Sequence, residues 1–136
     1  MATTLFRGPV LVGKKNEGSI SGFNITQKDS NYTVVINTDS GKTFLSNTTD
    51  VVFTLPSIAI GNVYTFVNTA ADGGNNLTIS PVSIDGILYL GSLTDNKDLI
   101  NTASTSKVGD YVTLASLNST AFWTVVDAQG VWAKES

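Results

Sequence analysis

Cysteine and histidine are both absent from this 136-residue chain. Without cysteine there is no disulfide, no thiolate nucleophile and no zinc–thiolate site, so stability must come from burial and assembly. Without histidine the chain lacks the commonest general base and the commonest transition-metal ligand. Charge is scarce as well: Asp, Glu, Lys and Arg make up 14% of residues, against roughly a quarter in ordinary soluble domains. No apolar run is long enough to span a bilayer, and the patch between Met1 and Gly13 is short and interrupted by Pro9, which fits neither a membrane span nor a secretory signal. These absences point away from an enzyme and away from a membrane.

What fills the space is Ser, Thr and Asn alongside a 41% hydrophobic content. Such residues solvate a surface yet cost less than charges when a partner covers them. The composition therefore suggests an obligate homo-oligomer. The net charge of −3 is unevenly spread. Residues 1–30 hold Arg7, Lys14, Lys15 and Lys28 against Glu17 and Asp29, a net +2, which leaves −5 for the remainder. An acidic body repels phosphate backbones, so no nucleic-acid partner is expected. The basic front suits an acidic protein surface.

Along the chain, β patterns recur. Val63–Val67 and Leu77–Ile79 alternate around the turn-forming Asp72-Gly73-Gly74-Asn75-Asn76, and this reads as an antiparallel hairpin. Tyr32–Asn37 and Lys42–Ser46 flank Asp39-Ser40-Gly41 and read as a second one. Val51–Leu55 ends at Pro56, a short strand falls near Leu99, and Asp110–Ser116, Ala121–Asp127 and Val131–Ala133 close the chain. No 3.6-residue apolar pattern persists and no internal repeat is evident. Eight to ten short strands describe a β-sandwich, jelly roll or barrel without choosing among them. The working expectation is an all-β, antiparallel β-sandwich, jelly-roll-like, over residues 31–136. Residues 1–30 form an extended N-terminal arm and connector, in which Gly8-Pro9 forbids helix and Leu5, Phe6, Val10, Leu11 and Val12 need a partner surface.

Sequences that hint at chemistry do not hold up. Gly41-Lys42-Thr43 looks like the end of a phosphate loop, but Ile36 stands where the leading glycine is required. Asp95-Asn96-Lys97-Asp98 looks like the opening of a calcium loop, but Lys97 occupies a ligand position and the distal glutamate is missing. An activated Ser or Thr needs a neighbouring base, and no GxSxG or SxxK pattern supplies one. A carboxylate hydrolase would need a pair of close acids that the sequence does not display. No catalytic residue, metal ligand or cofactor is assigned. The aromatic residues Tyr64, Phe66, Tyr111, Phe122, Trp123 and Trp132 are read as core or interface. Phe122 and Trp123 are neighbours on one strand and so must face opposite ways.

The blocks Phe53-Thr54-Leu55-Pro56, Val63–Thr69, Asn76–Pro81, Ile84-Asp85-Gly86, Gly109–Leu114, Phe122–Val126 and Gly130-Val131-Trp132, in that order, resemble a β module of tailed-bacteriophage virion proteins. The likeness spans residues 51–132 and is broken by the irregular stretch from Asp95 to Thr105. That module occurs in capsid decoration (cement) proteins and in tail fibres. The resemblance implies a virion component that forms homotrimers. A compact module behind a short apolar and basic segment fits a decoration protein, made in the host cytoplasm and bound to the major capsid protein on the outer capsid surface. The contact would come from Leu5, Phe6, Arg7, Pro9, Val10, Leu11, Val12, Lys14 and Lys15. The competing expectation is a tail-fibre or spike module that binds host surface glycan.

Overall fold

The structure, a computed structural model, describes residues 24–47, 50–117 and 121–136. The expected contact residues from Leu5 to Lys15 lie outside the described residues. Among the described residues the fold is all-β, with a single 3-10 turn at Ala103–Thr105 and two mixed sheets facing each other. The strands are β1 (Ile25–Gln27), β2 (Tyr32–Thr33), β3 (Thr43–Ser46), β4 (Val51–Thr54), β5 (Val63–Asn68) and β6 (Leu77–Ser80). They continue as β7 (Gly86–Leu88), β8 (Leu99–Asn101), β9 (Tyr111–Ala115), β10 (Phe122–Gln129) and β11 (Ala133–Lys134). One sheet has the order β1-β3-β5-β9-β10-β7, the other β11-β8-β6-β4-β2.

The first six strands alternate between the sheets, odd in one and even in the other, and each of β1 to β4 pairs in parallel with the strand two places on. The chain thus winds as a flattened coil. In one sheet Ile25 lies beside Thr43, and Thr43 beside Thr65. In the other Tyr32 lies beside Phe53, and Phe53 beside Ile79. This corrects three expectations. The two predicted hairpins are crossings: β2 and β3 lie in different sheets, as do β5 and β6. Gly41 and Gly73 do adopt positive φ (83° and 74°), so the turn chemistry is present, but each turn carries the chain to the opposite layer. The sandwich is antiparallel only in part, at β5/β9, β9/β10, β6/β8 and β8/β11. A structural repeat exists where sequence similarity was too weak to reveal one. Among the described residues the six-stranded sheet begins at Ile25, where β1 pairs with β3.

Inward positions stack coil on coil. Phe44 and Phe66 are register partners, as are Phe53 and Ile79. Their rings meet between the layers: Phe44 lies 5.4 Å from Tyr32, 5.4 Å from Phe53 and 5.6 Å from Phe66, and Phe53 lies 4.9 Å from Phe66. Such pairs add directional stabilisation to the burial of large apolar area. Tyr64 and Trp123 continue the core beneath β9 and β10 with ring centroids 5.5 Å apart. At the far side Trp132 donates its indole N–H to the Gln129 carbonyl (3.0 Å), and Lys134 reaches across the layers to the Ile87 carbonyl (2.8 Å).

The crossing from β2 to β3 is held by Asp39, which is buried. Its carboxylate accepts from the Tyr32 hydroxyl (2.7 Å) and the Val35 N–H (2.8 Å), and it pairs with the Lys42 ammonium (2.8 Å). Burial pushes this carboxyl up, but Lys42, Val35 and Tyr32 together outweigh it and hold it below the ordinary value. A depressed folded-state pKa contributes stability that is present above the unfolded value, about 3.9, and is lost as pH falls through the folded one. Asp39→Ala strands the Tyr32 hydroxyl and the Val35 N–H, at an expected cost of about 3 kcal/mol at pH 7. Urea titrations from pH 7 down to 3 should show that gap narrowing with acid. A gap that stays constant across the series would contradict this role.

Candidate interaction surfaces

The outward positions of the two sheets are nearly free of charge. On the five-stranded sheet they are Thr33, Val52, Thr54, Thr78, Ser80, Ile100 and Ala133, none of them ionisable and none of them buried. The six-stranded sheet presents threonines and aliphatics around Thr65 and Thr113, whose hydroxyls lie 2.9 Å apart. The ionisable groups on this face are Asp127 and Tyr111, whose hydroxyl donates to the Asp127 carboxylate (3.0 Å). That carboxylate raises the phenol's pKa above its ordinary value. Ile25, Val63 and Val126 add exposed aliphatic surface to the same sheet. Strand propensity explains the threonines and valines. It does not explain why lysine and glutamate, the usual solvated choices, are missing from both faces among the described residues. Depletion of charge with retained aliphatic and aromatic area is the composition of an interface centre.

The sequence-singled aromatic residues divide accordingly. Tyr64, Phe66 and Trp123 are fully buried, and Trp132 is 6% exposed. Tyr111 and Phe122 are half-buried on the outer face of the six-stranded sheet. Phe122 and Trp123 point to opposite sides, with Trp123 in the core. Burial pushes the Tyr64 phenol up to about 12.

Sequence reasoning missed a buried polar seam at one end of the sandwich. Asn68 Nδ2 donates to Asn101 Oδ1 (2.8 Å) and to the Asn75 carbonyl (3.3 Å), while its Oδ1 accepts from the Ala70 N–H (3.1 Å). Asn101 Nδ2 donates to Asp110 Oδ2 (2.9 Å) and to the Val131 carbonyl (3.0 Å). Asp110 Oδ2 also accepts from the Lys107 N–H (2.9 Å). Asn68 belongs to one sheet and Asn101 to the other, so the seam is a cross-layer staple. Asn68 and Asn101 lie 33 residues apart, and an asparagine or aspartate at a strand end looks the same whether or not it is buried, so no local signal announces the seam.

Among the described residues the surface holds no enclosed cleft, and no three acidic side chains converge in a way that could hold a metal. The Asp95–Asp98 segment is a surface loop between β7 and β8, with Asn96 at φ 58°. Neither protein-family models nor curated proteins give a match to this sequence.

Proposed function

We propose that this chain is a structural component of a tailed-bacteriophage virion: a capsid decoration protein that binds the major capsid protein on the outside of the head as a homotrimer and acts by binding alone. The observation that carries the reading is the charge-poor outer surface of both sheets, which suits burial against copies of the chain and against a shell. The ordered blocks from Phe53 to Trp132 that resemble virion modules supply the particular setting. In this reading the sandwich is a jelly-roll-like decorating body, and the leading segment supplies the grip through Arg7, Lys14 and Lys15 together with Leu5, Phe6, Pro9 and Val10–Val12. The mechanism is linkage. A ligand that binds only the assembled shell stabilises it by mass action, and three leading segments on one trimer add avidity.

Purified protein mixed with undecorated heads should co-sediment with them. Exchanging Arg7, Lys14 and Lys15 for serine should weaken that binding at least tenfold and leave the circular dichroism spectrum unchanged. Binding to tails and to host glycan, with none to heads, would overturn the proposal in favour of a fibre module. Glutamate at the centre of either face, Thr113→Glu or Thr78→Glu, is expected to break the trimer while the subunit stays folded. Gel filtration of both variants checks this, and an unchanged elution volume for both would count against self-association through the faces.

A further inference from the structure

Four links of the chain meet at one end of the sandwich: 34–42, 55–62, 81–85 and 116–121. The large side chains they expose are aliphatic. Ile84 is 73% exposed, Ile60 62%, Leu117 55% and Val35 47%. Polar side chains of the same links turn the other way, and Asp39, Asn62, Asp85 and Ser116 are all buried. The ionisable residues of these links are Asp39, Lys42 and Asp85; the two carboxylates are buried, and Lys42 is paired with Asp39. The opposite end has the ordinary pattern, with Asp29, Asp50, Asp72 and Lys107 exposed on its links. Loops that hide polar groups and show aliphatic ones invert that pattern, and an exposed apolar patch marks a place where something binds.

The buried polar groups stitch the four links into one piece. Asn62 Oδ1 accepts from the Asn37 N–H (3.2 Å) and the Tyr64 hydroxyl (3.3 Å), and its Nδ2 donates to the Ala59 carbonyl (3.0 Å). That carbonyl also accepts from the Ser116 hydroxyl. The Ser116 N–H donates to the Asn62 carbonyl and the Gly61 N–H to the Ser116 carbonyl, both at 2.9 Å. The Ile58 N–H donates to Asp85 Oδ2 (2.9 Å). Every link is thus tied to 55–62. A surface held in place before binding loses little conformational freedom when it is covered. At one margin the Asn96 N–H donates to the Asp85 carbonyl (2.9 Å), which brings the loop with exposed Asp95 alongside as a polar rim. An apolar centre beside a polar rim is the anatomy of a protein–protein contact.

The place where the chain enters the sandwich says what covers this patch. The Asn24 carbonyl accepts from the Thr43 N–H (2.8 Å), next to Lys42, so the entry lies at this same end. Lys15 precedes Asn24 by nine residues, a span of at most about 32 Å when fully extended. The eight-residue β10 alone is about 26 Å long. Lys14 and Lys15 could grip a body at the opposite end only with that span stretched nearly to its limit, whereas a body at the near end is within easy reach. We propose that the end bearing Val35, Ile60, Ile84 and Leu117 is the surface that seats on the capsid shell, against an uncharged apolar area of the major capsid protein. The inference rests on the reading that the leading segment grips a shell, and it adds a second, folded contact on the same side. Apolar burial there supplies affinity that salt does not screen, in contrast to the basic residues ahead of it.

Because the chain has no cysteine, one introduced thiol carries a label cleanly. Ile60→Cys bearing a benzophenone maleimide, bound to undecorated heads and irradiated, should cross-link to the major capsid protein. Val131→Cys, 56% exposed at the opposite end, should not. Cross-links from position 60 to a second copy or within its own chain, with none to the shell, would overturn the proposal, and so would equal labelling of the shell from both positions. Binding gives an independent reading. Ile60→Glu with Ile84→Glu should weaken head binding at least tenfold, with sedimentation mass and circular dichroism unchanged. Val108→Glu with Val131→Glu adds the same charge at the other end and should bind as the unaltered protein does. Undiminished binding by the Ile60 and Ile84 variant would refute the proposal, and a fall in its sedimentation mass would make the patch a contact between copies, which also refutes it. Should that variant fail to fold, the cross-linking result decides. Unaltered protein that does not bind heads would overturn the decoration role and this inference with it, whereas binding that survives the Ile60 and Ile84 changes strikes this inference alone.

Discussion

Gly130→Ala is expected to lower stability by about 4 kcal/mol, at the severe end for a single substitution. The residue sits at φ 97°, a conformation that side-chain-bearing residues avoid. The added methyl has nowhere to go: it would stand 2.2 Å from Asp110 Cγ and 2.3 and 2.5 Å from the two carboxylate oxygens. Nor can Asp110 step aside cheaply. Its Oδ2 is held by Asn101 Nδ2 and by the Lys107 N–H, so relief of the clash breaks the polar seam at its carboxylate end. In a domain of this size the loss corresponds to a fall in melting temperature of roughly 10–20 °C. Calorimetry on the variant checks it, and a change below a few degrees would show that the loop after β10 yields without cost.

Asn101→Leu is expected to cost about 3 kcal/mol although it preserves volume and adds apolar area. Leucine cannot accept from Asn68 or donate to Asp110 and the Val131 carbonyl, and it leaves Asp110 buried with one remaining partner, the Lys107 N–H. Stranded polar groups of this kind cost about 1–3 kcal/mol each, more when charged. The seam acts as a unit, so the double variant with Gly130→Ala should be less destabilised than the two single costs added together, because both disrupt the same carboxylate. Denaturant unfolding of the cycle measures the coupling. Strict additivity would mean that the Gly130 loop and Asn101 are independent.

The strands were legible because alternation reports which side chains face a core. Tyr64 and Phe66, Leu77 and Ile79, Val112 and Leu114 all follow the period of two, and all are buried. What alternation cannot report is the partner strand. Thr43–Ser46 pairs with Ile25–Gln27 and Val63–Asn68, a full coil away on either side, and not with Tyr32–Thr33 across the adjacent turn. A turn rich in Asp and Gly looks the same whether it reverses a strand within one sheet or carries it to the other, and that is why two crossings resemble hairpins in the sequence. The coil repeat is hidden for a related reason. Its turns share inward positions such as Thr26, Phe44 and Phe66, where layer filling tolerates different side chains. Their spacing is also uneven, shortest from Ile25 to Thr43 and longest from Phe53 to Ile79.

The charge deficit was legible from composition, but where it falls was not. It is concentrated on the sheet faces: the described lysines are placed mainly in turns, as Lys28, Lys42, Lys97 and Lys107, with Lys134 on the short terminal strand spanning the layers. A free monomer gains nothing from two charge-poor faces, whereas an assembly would avoid the desolvation of charges otherwise covered.

The most direct test is the mass of the full chain in solution, measured by sedimentation equilibrium from micromolar concentration downward. The account expects a single species at three times the chain mass that persists on dilution. A stable species at one chain mass, with both sheet faces open to water, would contradict it.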